Sequence, residues 1–374
     1  CEFRQNQVYS GLVTSYNSNV KFSHLRVIDN PIFGISVLGT SSVNTKLEIY
    51  NTQILNSSLT IDPSIGYSHG AIVYLNIGSL RIQNLSIIDI SVQGDGIVLF
   101  ANTADFSIQS ISIINVHTDL NTMVFFILSR GVIENLFCRN VTNLFTLTET
   151  SIQIKAISVL NLQATNNAQF LFSMFNSSLY AQNLTYTPIR SYSSQVPLIE
   201  ATNSIIDMDQ ATFSDLNQRK GTIVSLSNDG HLSIKNSLFN SNSKSLTIVK
   251  ATSINSIDIR NCLFQTSTGV ILNAVNIRGA SFFISNTVFA HSKSQNLLLQ
   301  NCSINYIFDN LFLPLQNDAH SANPFETQST ITISDSLFET ILHENILISQ
   351  EGQDGIIQII AQNYPYNLTF TTNY

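Results

Sequence analysis

The chain has 374 residues, a formal net charge of −7 and an isoelectric point near 5.4. Only 11% of its residues are charged, against about 25% in an average soluble domain. This acidic balance, with Lys and Arg scattered along the chain, argues against a nucleic-acid-binding protein. The longest apolar runs, such as residues 124–128, are far shorter than the roughly 20 residues of a membrane-spanning helix, so no membrane span is predicted.

A short pattern recurs along nearly the whole chain. Residues 257–264 have the sequence IDIRNCLF, and residues 282–289 have the sequence FFISNTVF. The frame is apolar, any, apolar, any and asparagine, with an apolar residue at the eighth position. Thirteen copies begin at Val20, Leu47, Leu80, Phe106, Gly131, Ile152, Leu179, Ile206, Leu232, Ile257, Phe282, Tyr306 and Ile331. Their spacing of about 25 residues predicts a repeat architecture.

The repeats also decide the predicted domain organisation. Length alone would suggest two or three domains, but no linker rich in Pro, Gly or Ser interrupts the pattern. The sequence therefore predicts one domain over residues 1–374. Within it, residues 1–19 form an N-terminal coil, residues 20–355 the repeats, and residues 356–374 a C-terminal coil and tail.

Each copy contains a second apolar run after a polar gap. Examples are residues 71–75, 96–100, 123–128, 170–172, 222–224, 269–272 and 296–299. These runs are short, rich in Ile, Val and Phe, and flanked by Asn, Ser and Gly, which is typical of β-strands. No stretch combines helical spacing with a preceding capping residue. The chain is therefore predicted to be all-β.

A repeat of this length with three short strands cannot bury its own apolar face. Stacking each copy on the previous one buries a continuous core and pairs every strand in parallel with its neighbour. The predicted fold is a single right-handed parallel β-helix, a solenoid of about 13–14 coils. The frame resembles the repeat of the pectate-lyase-like superfamily over residues 8–360. That resemblance implies an architecture and does not imply an activity.

The fifth position of the frame carries asparagine in eight copies: Asn51, Asn84, Asn135, Asn183, Asn236, Asn261, Asn286 and Asn310. The other copies carry His24, Ser110, Ala156, Gln210 and Asp335. In the superfamily that the frame resembles, asparagines at a sharp turn stack into a ladder. Asparagine tolerates the left-handed conformation of a tight turn, and its amide can bond to neighbouring coils. We expect these eight side chains to form an internal, structural ladder.

N-glycosylation sequons occur at seven asparagines, a number that chance explains in a chain so rich in Asn, Ser and Thr. Their placement is therefore more informative than their number. Asn84 and Asn183 lie in the ladder column, and we expect them to be bare because their amides are committed to the turn. Asn56 and Asn140 share another column, five residues beyond the ladder, and should point outward from a loop. The five predicted carriers of N-linked glycans are Asn56, Asn140, Asn176, Asn301 and Asn367.

The cysteines predict neither a metal site nor a redox motif, because Cys1, Cys138, Cys262 and Cys302 are far apart in the sequence. Cys138 and Cys262 lie in frames several coils apart and cannot bridge each other, so we expect both to be buried thiols. Cys1 lies at a terminus, where a partner chain could reach it. The chain starts without Met or a signal-like segment, which indicates a processed chain or a piece of a longer one. No cofactor is predicted.

The sequence favours a protein without catalytic residues. Enzymes of the superfamily that the frame resembles use clustered aspartates with a Gly-His-Gly element, or calcium-binding acids with a basic residue. The nearest matches are residues 68–70 and 230–231, and no two aspartates are adjacent. Glu149 and Glu200 are the candidate carboxylates, about 10 Å apart if two coils separate them, at or beyond the spacing of inverting glycosidases. Residues 60–70 and 316–328 interrupt the repeats, as a tolerated insertion or a binding loop would.

These features favour an extracellular structural glycoprotein that belongs to a fibre or a cell-surface array. Two alternatives stay open: a polysaccharide-binding or polysaccharide-degrading protein, and a surface adhesin. Strand-like segments at residues 8–13, 355–360 and 367–372 predict open strand edges at both ends. We expect end-to-end self-association through these edges.

Overall fold

The computed structural model shows two compact units, unit 1 (Cys1–Gln182) and unit 2 (Asn183–Tyr374). Every described element is a β-strand, and the strands pair in parallel as a solenoid of the right-handed type, which confirms the predicted fold class. The structure describes residues 2–4, 8–9, 13–15, 18–33, 36–40, 45–60, 70–93, 96–118, 122–163, 170–188, 196–216, 221–241, 246–266, 270–277, 281–291, 297–300, 302, 304–314, 331–334, 339–343, 346–347, 357–360 and 367–371.

The described strands of unit 1 are β1 (Glu2–Arg4), β2 (Val8–Tyr9), β3 (Val13–Ser15), β4 (Val20–Ser23), β5 (Arg26–Ile28), β6 (Pro31–Phe33), β7 (Ser36–Thr40), β8 (Thr45–Leu55), β9 (Ser58–Thr60), β10 (Gly70–Leu75), β11 (Gly78–Gln93), β12 (Gly96–Asn102), β13 (Ala104–Ile108), β14 (Ile111–Thr118), β15 (Val124–Ile127), β16 (Arg130–Ile133), β17 (Leu136–Val141), β18 (Phe145–Thr148), β19 (Ser151–Ile154), β20 (Ile157–Leu162), β21 (Phe172–Phe175) and β22 (Ser178–Gln182).

The described strands of unit 2 are β23 (Leu184–Thr187), β24 (Ile199–Thr202), β25 (Ile205–Asp209), β26 (Thr212–Phe213), β27 (Gly221–Ser227), β28 (His231–Lys235), β29 (Leu238–Ser241), β30 (Leu246–Thr252), β31 (Ser256–Arg260), β32 (Leu263–Thr266), β33 (Leu272–Val275), β34 (Ser281–Ser285), β35 (Val288–His291), β36 (Leu297–Gln300), β37 (Ile304–Phe308), β38 (Leu311–Pro314), β39 (Ile331–Ser334), β40 (Glu339–His343), β41 (Ile346–Leu347), β42 (Ile357–Ile360) and β43 (Asn367–Thr371).

Each coil contributes one strand segment to each of three faces. In unit 1 the first face follows the order β4, β8, β11, β13, β16, β19 and β22. The third face of unit 1 is a sheet of β3, β7, β10, β12, β15, β18 and β21. The third face of unit 2 is built in the same way from β24, β27, β30, β33, β36, β39 and β42. The number of coils in the whole chain stays a prediction.

The pairing register confirms the repeat frame over most of both units. In unit 1 the first residues of successive copies are partners, as at Leu80 with Phe106. The predicted start positions of the last two copies are wrong. Phe282 pairs with Asn305 rather than with Tyr306, and Ile331 belongs to the third face, where it pairs with Leu297. Asn305 is polar where the frame requires an apolar residue, and strands of the third face have the same apolar alternation as the frame, so the pattern alone cannot fix the register there.

The core consists of inward side chains that stack from coil to coil. In unit 1, Ile87, Ile113, Cys138 and Val159 are partners in successive coils, and each is fully buried. In unit 2 the rings of Phe213, Phe239, Phe264 and Phe289 stack with centroid distances of 4.8, 5.1 and 5.5 Å. Offset stacking of this kind adds to the stability that the burial of these rings already provides.

Close packing requires a glycine at position 131. Gly131 pairs with Phe106 of the previous coil, and a Cβ atom at this position would overlap the carbonyl oxygen and the ring of Phe106. The Phe106 ring therefore fills the space that the next coil leaves empty, and it packs on Phe126 at a centroid distance of 4.4 Å.

Left-handed residues at positive φ mark three turn columns. In unit 1 the first turn column contains His24, Asn51 and Asn84, the second contains Asp29, Asn56, Asp89, Asn115, Asn140 and Asn161, and the third contains Thr103, Leu128, Glu149 and Asn176. In unit 2 the first turn column contains Asn183, Gln210, Asn236, Asn261, Asn286 and Asp309, and the third contains Asn203, Asn228, Ser253 and Asn276. Asn, Asp and other short polar residues adopt this conformation at the lowest cost, which explains their enrichment.

The predicted internal position is wrong for seven of the eight ladder residues. Seven of the asparagines, all except Asn310, are exposed to solvent. Asn310 is buried, but it follows the turn residue Asp309 and therefore lies outside the column. The physical reason is that a left-handed corner residue points outward, while the next residue, such as Thr52 or Cys262, points into the core.

Some contacts between the predicted ladder residues are nevertheless present. The Asn84 Nδ2 donates to the Asn51 Oδ1 at 2.9 Å, and the Asn261 Nδ2 donates to the Asn236 Oδ1 at 3.1 Å. Asn135 instead donates to the backbone oxygen of Gln109 at 3.2 Å. A continuous ladder of all eight residues is not confirmed.

Candidate functional site

The third turn column of unit 1 borders a cleft of about 610 Å³. Leu128 and Glu149 occupy the turn in neighbouring coils, since Ile127 pairs with Thr148 in the strands that precede them. Asp105 and Arg130 line the cleft from the first face of the same unit. The cleft therefore combines both signs of charge with apolar side chains, of which Leu128 is exposed to solvent.

An ion pair joins two neighbouring coils at this cleft. The Arg130 Nε donates to the Asp105 Oδ1 at 2.6 Å, and both side chains are largely exposed, at 79% and 64%. The hydrogen bond from Arg130 lowers the pKa of Asp105 and raises that of Arg130. Because solvent screens an exposed pair, it contributes little to folding, and both groups stay available to a ligand.

Leu128 is unusual for its conformation and its exposure. It has φ of 48° and is 54% exposed, the highest value among the large exposed apolar side chains of the described residues. Left-handed backbone costs an ordinary L-residue about 1–2 kcal/mol. A strained, exposed leucine beside a cleft is a candidate functional residue, because strain that persists without a packing benefit often marks a site. The repeat frame gave no signal for it.

The two candidate carboxylates do not occupy equivalent positions. Glu149 lies in a turn of unit 1 with φ of 49°, and Glu200 lies inside β24 of unit 2, where it pairs with Ser225. Glu149 therefore lies at a corner, whereas Glu200 lies within a strand of the third face. The histidine of the second weak motif, His231, contacts the Ser256 hydroxyl of the next coil through its Nδ1. Residues 61–69 and 315–330, which include His69 and the second interruption, lie outside the described residues.

A chain of side-chain hydrogen bonds follows the second turn column of unit 1. The Asn115 Nδ2 donates to the Asp89 Oδ1 at 2.8 Å, the Asn140 Nδ2 to the Asn115 Oδ1 at 2.9 Å, and the Asn161 Nδ2 to the Asn140 Oδ1 at 3.0 Å. Asn161 is only 6% exposed, and its Oδ1 has no partner within the described residues. The column that the sequence assigned to outward loops thus carries the longest described row of bonded amides.

This row changes the surroundings of one predicted glycan carrier. Asn140 is half-buried, with its amide bonded on both sides, and its sequon residue Thr142 is 2% exposed and bonded to Thr118 at 3.1 Å. Asn56 and Asn176 are exposed turn residues with φ of 45° and 47°. Asn301 lies outside the described residues, and Asn367 begins β43, where side chains are not described. Glycosylation itself stays a prediction at all five residues.

The cysteines are buried thiols, as expected for Cys138 and Cys262 and as found also for Cys302. Burial raises the pKa of Cys262 to about 11 and that of Cys302 to about 12, and it raises that of Cys138 further. A thiol with a raised pKa carries little thiolate and is chemically inert. Cys1 lies outside the described residues.

Within the described ranges, no three His, Cys, Asp or Glu side chains lie close enough together to hold a metal ion. The same residues contain no helix that could cross a membrane. No family model, no curated protein and no solved structure matches the chain. Membership of the pectate-lyase-like superfamily therefore stays a prediction.

Proposed function

We propose that this chain is an extracellular, non-catalytic structural glycoprotein, a subunit of a fibre or of a cell-surface array. One observation carries the proposal: polar side chains on the outside of both units bond to their equivalents in the next coil. Examples are Asn115 with Asp89 in unit 1, and Thr202 with Ser227 at 3.2 Å in unit 2. Groups bonded in this way stabilise the stack of coils, as a structural element requires.

The low charge of the chain supports the same proposal. Uncharged hydroxyl and amide groups keep the outer surface hydrated without the large single-sign fields that steer charged ligands. The ion pairs of the described residues, such as that of Lys155 with Glu134 at 3.2 Å, lie on exposed surface. Exposed pairs of this kind keep the surface soluble, and they do not form a preorganised reaction site.

End-to-end association would extend such a structure. β1 pairs with β5, and β43 pairs with β40; within the described residues neither has a second partner. Unpaired strand edges accept further strands, and a heterologous contact between opposite edges propagates as a filament. Adjacent segments of a longer chain would cover the same edges and prevent this contact.

Imaging of secreted, native material by negative-stain electron microscopy tests the proposal. We expect filaments or ordered arrays whose length increases with protein concentration. Isolated monomers at high concentration would contradict self-association. A screen for degradation of acidic and neutral polysaccharides is the companion measurement, and turnover that E149Q abolishes would contradict the non-catalytic role.

The cleft of unit 1 supports a second candidate function, polysaccharide binding. Asp105, Arg130 and Glu149 offer planar polar groups beside an exposed apolar side chain, a combination suited to a polar ligand with apolar faces. Titration calorimetry with acidic and neutral oligosaccharides tests this candidate. We expect weaker binding in R130Q and E149Q, and unchanged binding in the matched control K155Q, which removes a cation from the same outer surface of unit 1.

A further inference from the structure

Two exposed aromatic rings flank one predicted glycan carrier. Phe175 is 47% exposed and Tyr180 is 43% exposed, and they are the two aromatic residues among the large exposed apolar side chains of the described part of the chain. Asn176 lies between them at the corner where β21 ends and β22 begins. Two exposed rings close to one sequon in the sequence offer apolar area that a substituent on Asn176 could cover.

The corner presents Asn176 to solvent. The residue is exposed, it has φ of 47°, and its side chain makes no hydrogen bond within the described residues. The neighbouring Ser177 points inward, where its hydroxyl bonds to the Phe175 carbonyl oxygen at 2.7 Å, while the sequon residue Ser178 is half-buried at the start of β22. A substituent on the Asn176 Nδ2 would therefore displace no existing bond.

The third turn column of unit 2 provides an internal contrast. Asn203 has the same left-handed conformation, with φ of 50°, and is followed by an inward serine, Ser204, in the same way. Its third residue is Ile205 rather than a hydroxyl residue, so no sequon exists there, and no exposed aromatic ring flanks it. Exposed rings and a sequon thus occur together at Asn176 and are both missing at Asn203.

We infer that Asn176 carries an N-linked glycan whose first sugars pack on Phe175 and Tyr180 and shield both rings from water. This inference rests on the proposed extracellular glycoprotein. A pyranose ring has an apolar face of C–H bonds that suits an aromatic ring, while its hydroxyl groups stay hydrated. The glycan then acts as the cover of an apolar corner, in contrast to a glycan that only projects from a loop.

Secretion of the full chain from a eukaryotic host, followed by glycopeptide mass spectrometry and nitration of tyrosines by tetranitromethane, tests the inference. We expect Asn176 to be occupied. In S178A, which removes the sequon and keeps Asn176, we expect the nitration rate of Tyr180 to increase about threefold or more. S178T retains the sequon and should nitrate at the wild-type rate, and S58A, which removes only the Asn56 sequon, should leave Tyr180 unchanged.

The outcomes separate this inference from the proposed function. Occupancy at other sequons with a bare Asn176 would overturn the inference and leave the glycoprotein proposal intact. An occupied Asn176 with equal Tyr180 nitration in wild type and S178A would overturn the shielding. A secreted chain without glycan at any sequon would overturn both. Circular dichroism of S178A and S178T, which should match wild type, verifies that the change at Tyr180 is local.

Discussion

The third turn columns of the two units solve the same geometric problem with different residues. In unit 2 the column contains Asn203, Asn228, Ser253 and Asn276, all short polar residues suited to positive φ. In unit 1 it contains Thr103, Leu128, Glu149 and Asn176. The backbone geometry is equivalent, since Leu128 and Asn228 each donate an N–H to the next coil at 3.0 and 3.1 Å.

The two columns differ in how well their residues suit the left-handed conformation. Unit 2 follows the conformational preference of each position, whereas unit 1 places a leucine where the backbone disfavours it and exposes it beside the cleft. Natural sequences depart from local preference mainly at functional or strained sites. The corner of unit 1 is therefore where binding should be sought.

The largest loss of stability is expected when a methyl group is added to a closely packed glycine. In G131A the added methyl group would overlap the backbone and ring of Phe106, neither of which can move without disturbing the core. We expect a loss of about 3 kcal/mol in the free energy of unfolding. In unit 2, Gly230 lies in the turn before β28, and the methyl group of G230A would meet the Ser204 backbone oxygen at 2.7 Å and the Leu226 side chain at 2.9 Å. Because these distances are longer than those at Gly131 and Leu226 can change its rotamer, we expect a smaller loss of about 2 kcal/mol. Equal losses in urea denaturation would show that Phe106 yields more easily than the structure indicates.

In unit 1, the hydrogen-bonded row of the second turn column includes half-buried residues, whereas the first turn column is exposed. N140A removes two side-chain hydrogen bonds and leaves the amide of the nearly buried Asn161 without its partner. We expect a loss of about 2 kcal/mol in the free energy of unfolding. The control N51A also places alanine in the left-handed conformation, at φ of 47°, but removes only one bond between exposed residues, so it should cost less, about 1 kcal/mol. A smaller loss in N140A than in N51A would mean that the hydrogen-bonded row contributes nothing specific.

Exchanging the residues at equivalent turns of the two units tests whether the left-handed conformation is costly at Leu128. L128N places asparagine at φ of 48° and should raise the free energy of unfolding by about 1 kcal/mol, because the left-handed cost falls. N228L makes the opposite change at φ of 56° and should lower it by about 1 kcal/mol. If Leu128 serves binding, L128N should gain stability and lose ligand affinity together. Destabilisation by L128N would show that Leu128 packs better than its exposure suggests.

The repeat frame predicted the fold because its apolar positions alternate with the period of a strand and recur once per coil. Pairs such as Leu80 with Phe106 follow directly from that pattern. The prediction failed at Tyr306 because the polar Asn305 occupies the first position of the frame, and at Ile331 because a third-face strand has the same apolar alternation. Local pattern identifies strands, but only the stacked coils decide which strand pairs with which.

The candidate site was less accessible to sequence reasoning. The sequence identified Asn as a turn residue but not the direction in which a left-handed turn points its side chain, so an exposed column was predicted to be buried. It also placed Asn140 in an outward loop, although the spacing of Asn115, Asn140 and Asn161 contained the signal for a bonded row. Leu128 could not be predicted, because an apolar residue beside a strand normally indicates core.

The smallest effect is expected at the ion pair that borders the unit 1 cleft. The hydrogen bond from Arg130 lowers the pKa of Asp105 below its ordinary value, so the carboxylate favours the folded state at pH values above its unfolded pKa. That contribution is lost as the pH falls through the lower, folded pKa. In R130Q we expect the Asp105 titration, followed by carboxyl carbon chemical shift, to return towards the ordinary value. The control K155Q removes a cation that pairs with Glu134 instead and should leave Asp105 unchanged. High salt should reduce the shift in wild type, because both side chains are exposed. An equal midpoint in wild type and R130Q would show that the pair does not form in solution, which would remove the charged wall of the cleft.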